Sequence, residues 1–405
     1  MNSEMEIYYA TNKLFLSRIG GWPYQRKPLK VLIPCFFTMV HFSVIVTQAL
    51  LLYDTWGDID IVVECIITLT LLFAASIKLI NIVVNNDKLR RLLQHMNKHW
   101  ELFNSELERQ ILRYYGSIGQ KVTNYYAAYF SATLLSYVLI PLVPRILDVI
   151  IPLNESRPLG YVYQAEYRVD KEKYYYPILF HTYLASTITT TILFTVDTTY
   201  IVCVLHTCSL FTAVSQQLEN ITRKTDITSS DKKVHKEMHY HIFMEKHNSI
   251  GNDYIALINC LKKHQLALEH AQILDSMFTH ATFIMLSINV LILSIIGIQL
   301  INNLENIEET VRYVFISCAS FIHLITMCIP GQLLIDKSTE VFIKTYGSAW
   351  YTFSVRTKKL LGILLYRSFT PCTLTAGRTF IMSMTMCSSV MQTAMSYFTA
   401  FSSMK

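Results

Sequence analysis

Charge is scarce in this sequence. Only 16% of its 405 residues are Asp, Glu, Lys or Arg, while 52% are hydrophobic and the mean hydropathy is +0.32. So apolar a chain does not make an ordinary soluble domain and points to a polytopic membrane protein. Glycine is also scarce, with 12 residues, and no Gly-rich phosphate loop, nucleophile elbow or spaced carboxylate pair occurs. An enzyme is therefore not expected; an acyltransferase built on His181 or His206 has no supporting motif. None of the nine cysteines forms a CxxC pair, which argues against a disulfide framework or a zinc site and leaves free thiols. The run HKEMHYH, with His235, His239 and His241, has the wrong order for a zinc-binding HExxH helix, so neither metal nor cofactor is expected. The net charge of +6 is not gathered into a tail or patch, which excludes nucleic acid as a natural partner. The first thirty residues lack the short apolar core and cleavage site of a signal peptide, and the N-terminus is expected to be uncleaved.

What the chain does have is long apolar runs. A helix needs about 20 apolar residues to cross the hydrocarbon core. Seven stretches qualify, at roughly 31–53, 61–84, 126–147, 178–204, 272–301, 313–335 and 373–401. Two contain helix breaks, at Pro141/Pro144 and at Pro330-Gly331, which are tolerated where neighbouring helices satisfy the freed backbone groups. No internal repeat is visible, so one membrane domain is expected and a transporter built from repeated halves is disfavoured. The segment 236–274 has helical periodicity and no proline but too many charges to span; it reads as a helix projecting into the cytoplasm.

Lys and Arg set the orientation. Five lie in 1–30, seven in 85–125, eight in 205–271 and six in 336–372; the other side holds four in 148–177 plus Arg312 and Lys405. The expected fold is an all-α polytopic membrane protein with seven transmembrane helices, N-terminus inside and C-terminus outside. A G-protein-coupled receptor, the main alternative along with a gustatory-receptor relative, has the opposite orientation and DRY and NPxxY signatures that are absent here. The sequon at Asn154 falls outside and is a candidate glycosylation site, whereas the one at Asn220 falls inside.

The last apolar run carries a stripe. Thr385, Ser389, Gln392, Ser396, Thr399 and Ser403 recur at spacings of four and three, the interval that puts residues on one helix face. In lipid such a stripe calls for a neighbouring helix or water, and copies arranged about a symmetry axis could turn it towards a pore. The other reading is that the hydroxyls bond back to their own helix; Ser383, Ser388, Thr393 and Ser402 lie off the stripe. Intramembrane charges stand at Glu64, Lys78, Arg145, Asp197 and Arg378. Lys78 and Asp197 lie towards the cytoplasmic ends of their spans, where pairing would lower the cost of burying each.

Three stretches carry a family resemblance. They are CLKKHQLALEHAQIL (260–274), RPLGYVYQAEYRVDKEKYYYP (157–177) and TYGSAWYTFSVRTKKLLGILLYRSFTPCTLTAGRTF (345–380), together with the closing Ser396-Tyr397 pair. Through Tyr346, Trp350, Tyr351, Lys358, Leu360, Leu361, Pro371, Leu374, Thr375, Ala376 and Gly377 the chain resembles insect odorant receptors, and its loop 157–177 resembles especially that of their ant, bee and wasp members. The resemblance implies an odorant-gated, non-selective cation channel of four subunits, in which a ligand-tuned chain combines with a shared co-receptor as a heterotetramer. It implies a multi-pass protein of the plasma membrane of olfactory neurons. The longer insertion between spans four and five that marks the co-receptor is missing, so this chain looks like the tuning subunit.

The same resemblance implies where the working parts lie. Residues 1–335 would form a six-helix bundle with the ligand pocket and cytoplasmic helical loops, 336–370 a cytoplasmic anchor and 371–405 the pore-lining seventh helix. Pore residues would be Thr385, Ser389, Gln392, Ser396, Thr399, Ala400 and Ser403, with small Ala400 where a larger aliphatic gate residue is expected. Tyr346, Trp350, Tyr351, Leu360 and Leu361 would supply subunit contacts in the anchor; a basic, aromatic helix lying on anionic lipid is the alternative. A small volatile odorant would sit among Leu69, Phe73, Ser136, Tyr137, Ile140, Leu184, Thr187, Ile188, Thr191, Phe315, Ala319 and His323. His323 is the one ionisable side chain of that set, and a neutral imidazole bonded to a neighbouring helix is the plainer reading.

Overall fold

The computed structural model describes residues 3–151, 160–231, 239–302 and 307–403. The chain is helical almost throughout. Helix α1 (Ser3–Arg18) precedes α2 (Lys27–Asp54), which begins with proline in its first turn, where a missing N–H costs nothing. Helix α3 (Ile59–Val84) starts on an Asp58 cap that accepts from the amides of Asp60 and Ile61, satisfying two of the otherwise orphaned donors. The amphipathic α4 (Asn86–Leu102) buries Leu89, Leu92, Met96 and Trp100 on one face. Helix α5 (Glu106–Leu139) ends in a 3-10 turn at Ile140–Leu142 where Pro141 stands, and α6 (Val143–Ile150) follows.

The next two helices are much longer than their apolar runs. Helix α7 spans Tyr175–Asp231 and α8 spans His239–Asn302, so the described part of the expected projection, 239–274, is the first part of α8 and runs on unbroken into its apolar stretch. Helix α9 (Ile307–Tyr346) contains Pro330. After a 3-10 turn (Trp350–Thr352), α10 (Val355–Phe369) is capped by Ser354, which accepts from the Thr357 amide. Among the described residues, and by length and apolarity alone, five helices suffice to cross a membrane: α2, α3 and the apolar parts of α7, α8 and α9.

The seventh span begins later than its apolar run. Strands β1 (Thr375–Ala376) and β2 (Phe380–Ile381) form a small antiparallel hairpin, and α11 occupies Met384–Ser403. Arg378 therefore lies in the hairpin turn and not within the last helix. Gly377 (φ 63°) and Arg378 (φ 61°) both take the left-handed conformation that this tight turn requires. The hairpin is clamped to α8: Thr375 donates to the Asp275 carboxylate, the Gly377 amide to the Thr279 carbonyl, and the Arg378 amide to the Thr279 hydroxyl. The stretch Leu374-Thr375-Ala376-Gly377 is thus a joint between two helices.

Helix α7 is the hub, with the largest buried share of any candidate span, and packs on α2, α3, α5, α8 and α9. A continuous core runs from Val40 and Val44 on α2 through Ile188 and Ile192 on α7 to Leu89, Met96 and Phe103 near α4. The same core takes in Met5, Leu16 and Ile19 of α1.

Candidate functional site

Three arrangements of polar groups stand out. The first is inside the bundle. Lys78 of α3 donates to Asp197 of α7 at 2.5 Å, and the two side chains are 4% and 9% exposed. The expected pairing is present. Lys78 also donates to Nε2 of His323 on α9 at 3.0 Å, and Nδ1 of that ring lies 3.3 Å from the Asn289 amide on α8. An ammonium only donates, so Nε2 accepts and the ring proton resides on Nδ1, which bonds to Asn289 through the amide oxygen once that side-chain amide takes its flipped assignment. Tyr126 of α5 donates to the second Asp197 oxygen at 3.4 Å. Five helices meet at this node. His323 bonds to neighbouring helices as read from the sequence, but one of its partners is the buried ammonium. Asn289 and Tyr126 were not foreseen, although an amide in the middle of an apolar run is itself a signal.

Apart from His323, which is in the node, the implied ligand residues lie about one to four helical turns along the chain from it. Ile188 is buried, Leu69, Leu184 and Thr191 are half-buried, and Phe73, Ser136, Thr187, Phe315 and Ala319 are exposed on the single chain. The side chains of Tyr137 and Ile140 lie outside the described residues. Ser136, Thr187 and Thr191 donate to carbonyls one turn back, at Ala132, Tyr183 and Thr187, leaving oxygen lone pairs to accept. Two described cavities fall elsewhere. One, of about 930 Å³, lies between α4, α5, α7 and α8 and includes Lys98, Glu108, Lys263 and Glu269; the other, of about 240 Å³, lies at Tyr161, Tyr163 and Ile178, by the segment that precedes α7.

That segment is pinned down. Gln48 donates to the Gln164 carbonyl at 2.7 Å, and Tyr167 and Ser43 hold the two nitrogens of His181 at 2.8 Å each. The Lys171 ammonium, bonded to Glu166, holds that carboxyl below its usual range. Asn154 lies outside the described residues.

The second arrangement is the stripe on α11. Thr385, Ser389, Gln392, Ser396, Thr399 and Ser403 are all exposed, as is Ala400, while Cys387, Val390 and Ala394 are buried on the opposite face against the rest of the chain. Ser389, Ser396, Thr399 and Ser403 also donate to carbonyls three or four residues back. The two readings of the stripe are therefore compatible: each hydroxyl satisfies its own helix, and the row still faces away from the subunit. In the anchor, Tyr346, Trp350 and Tyr351 are exposed, Leu360 is half-buried and Leu361 is buried. The three aromatics project outward, while Leu361 belongs to the chain's own core.

The third arrangement joins α4, α7 and α8. The rings of His99 (α4), His206 (α7) and His270 (α8) pack with centroids 5.3–5.4 Å apart, His99 and His206 stacked and His270 edge-on to both, beside Tyr9 of α1. All three are buried, and burial pushes His99 down to about 2. The sequence reading missed this cluster because its members lie far apart in the chain. Among the described residues, no group of three His, Cys, Asp or Glu is placed to hold a metal ion.

Comparison with known proteins agrees with this architecture. Two solved structures of the insect olfactory receptor OR5 from Machilis hrabei share the fold. One, in complex with eugenol, has a TM-score of 0.75 at 13% identity, covering 99% of each chain. The other has a TM-score of 0.70 at 14% identity, covering 98% of each. Among curated proteins no sequence matches. The family described as 7tm Odorant receptor matches residues 59–395, and with most of its length inside that match the chain belongs to the odorant receptor family, a family of multi-pass membrane receptors and not of enzymes.

Proposed function

We propose that this chain is the ligand-tuned subunit of an odorant-gated, non-selective cation channel, assembled with a co-receptor as a heterotetramer in the plasma membrane of olfactory neurons. The observation that carries the reading is the α11 stripe. Six polar side chains run the length of one face of α11 and all are exposed on the single chain, in a family whose members bind odorants. Such a row is stable in a membrane when it meets water or another subunit. No carboxylate stands on it, so little charge discrimination among cations is expected from this subunit. The odorant, a small volatile molecule, would enter the outer half of the bundle among Leu69, Phe73, Ile188, Thr191, Phe315, Ala319 and His323, a mostly apolar lining with a few orienting polar groups. Tyr346, Trp350 and Tyr351 would meet neighbouring subunits below the membrane.

An epitope tag after Lys405 tests the orientation in intact, unpermeabilised cells. Staining is expected; staining only after permeabilisation would overturn both the outside C-terminus and a pore on α11. With the co-receptor present, volatile odorants are expected to evoke cation current in excised patches without cytosolic nucleotide. A requirement for GTP would instead favour a G-protein mechanism.

A further inference from the structure

The node of Lys78, Asp197 and His323 occupies a particular level. On α3, α5, α7 and α9 it lies inward of every implied ligand residue except His323, which belongs to both sets. Its members differ in exposure: the Lys78 and Asp197 side chains are 4% and 9% exposed, whereas His323 is 25% exposed. The imidazole is therefore the edge of the network that an incoming molecule can reach.

From His323 a short run of α9 leads to the base of the pore helix. The Met327 carbonyl accepts from Tyr200 of α7 at 3.5 Å. The Cys328 thiol is hydrogen-bonded to that of Cys387 on α11. Pro330 has no N–H, so the Thr326 carbonyl loses its helical partner and the helix is weakened between the node and its lower half. Immediately below, Gly331 lets α9 touch the hairpin: a Cβ added there would collide with the Met382 carbonyl. The Gln332 side chain then accepts from the Met384 amide, the first residue of α11, at 3.2 Å.

We propose that the Lys78–Asp197–His323 node is the floor of the odorant cavity and couples it to the pore, with His323 displaced by ligand and α9 carrying the movement through Cys328, Gly331 and Gln332 to the start of α11. This rests on the channel reading above. The ion pair is the fixed point, because two charges buried together resist separation. His323 is the movable point, because its bonds to Lys78 and Asn289 are single contacts between different helices. The Pro330 break lets the lower part of α9 follow without dragging the whole helix. Spatial continuity alone does not establish coupling, so the test is energetic.

The full-length chain would be expressed with the co-receptor. Surface amount would be read by biotinylation, and cation current with and without a panel of short straight-chain alcohols, aldehydes and esters. The variants are Lys78→Met/Asp197→Leu, which removes both charges together, His323→Phe, Gln332→Leu, and the last two combined. Each of the first three is expected to reach the surface as the wild type does and to lose about tenfold in maximal evoked current. The combined variant is expected to lose no more than either alone, the mark of two positions on one route. Full current in the single variants, or losses that multiply in the combination, would overturn the proposal. If the charge-free pair variant does not reach the surface, His323→Phe and Gln332→Leu carry the test, since both leave the ion pair in place. If the wild type itself passes no odorant-evoked current, it is the channel reading that fails; the ligand-free sodium leak then decides the node, supporting it if the variants shift leak non-additively and overturning it if leak is unchanged.

Discussion

The node and the stripe are both rows of polar groups in an apolar chain, yet they are handled in opposite ways. At the node, Lys78, Asp197 and Asn289 are buried and their partners come from other helices. On α11 the hydroxyls are exposed and their partners are carbonyls of their own helix. Polar groups with tertiary partners hold one subunit together. Polar groups satisfied locally leave the helix free to show its face to something outside the subunit. The two arrangements should therefore separate stability from conduction.

The largest effect is expected from breaking the node on one side. Asp197→Ala leaves the Lys78 ammonium buried without its carboxylate, at a cost of about 3–5 kcal/mol. That is a large part of the stability of a folded domain, so surface expression should collapse, as measured by biotinylation. Wild-type surface amount together with wild-type current would show that the pair does not hold the bundle.

The histidine cluster is a third case, buried like the node but with no charge. His99 lies at about 2 in the folded protein against the usual 6.5. Between those values the unfolded chain binds a proton that the folded chain does not. Stability contributed by neutral His99 is therefore present above pH 6.5 and falls by about 1.4 kcal/mol per pH unit below it. The groups facing the ring are His95, Lys98 and Phe103 near the same helix, His206 of α7 and His270 of α8. No carboxylate is among them to stabilise an imidazolium. Purified protein should melt earlier at pH 5.5 than at pH 6.5, and His99→Asn should flatten that dependence; an unchanged slope would remove His99 as its source.

These contrasts mark how far the sequence could be read. The apolar runs, the long helix below span five and the Lys78–Asp197 pair were legible, because span length, helical periodicity and the cost of lone buried charge act on local sequence. The histidine cluster was not, since His99, His206 and His270 are separated by more than a hundred and by more than sixty residues and only the packing of α4, α7 and α8 joins them. The start of α11 was misplaced for a different reason. Residues 373–383 are apolar enough to extend a span, but the left-handed turn at Gly377-Arg378 and the clamp to Asp275 and Thr279 fold them into a hairpin. The ligand residues came through the resemblance, and their positions on four neighbouring helices follow from the topology.

A smaller effect is expected at the outer surface. Arg168 and Asp54 form an ion pair at 2.7 Å, with side chains 55% and 32% exposed. Solvent screens such a pair, and it contributes about 0.2–1 kcal/mol. Arg168→Gln should lower the melting temperature slightly at low salt and not at high salt. A loss that persists at high salt would show that the loop depends on Arg168 for more than its charge.

The smallest effect on stability should come from the stripe, and there the comparison is sharpest. Ser396 is exposed and its hydroxyl donates to the Gln392 carbonyl, a local bond that the helix can do without. Ser396→Cys should change stability by no more than about 0.5 kcal/mol, with surface expression as in the wild type. Val390 on the same helix is 2% exposed and packed into the subunit, so Val390→Cys presents its thiol to the core. If α11 lines a water-filled path, a water-soluble methanethiosulfonate reagent applied from outside should alter current through the Ser396→Cys channel and leave the Val390→Cys channel unaffected. Reaction at both positions would mean that α11 is not packed as described. Reaction at neither would mean that the stripe faces lipid or a dry subunit contact, and the self-bonded hydroxyls would then be its whole explanation.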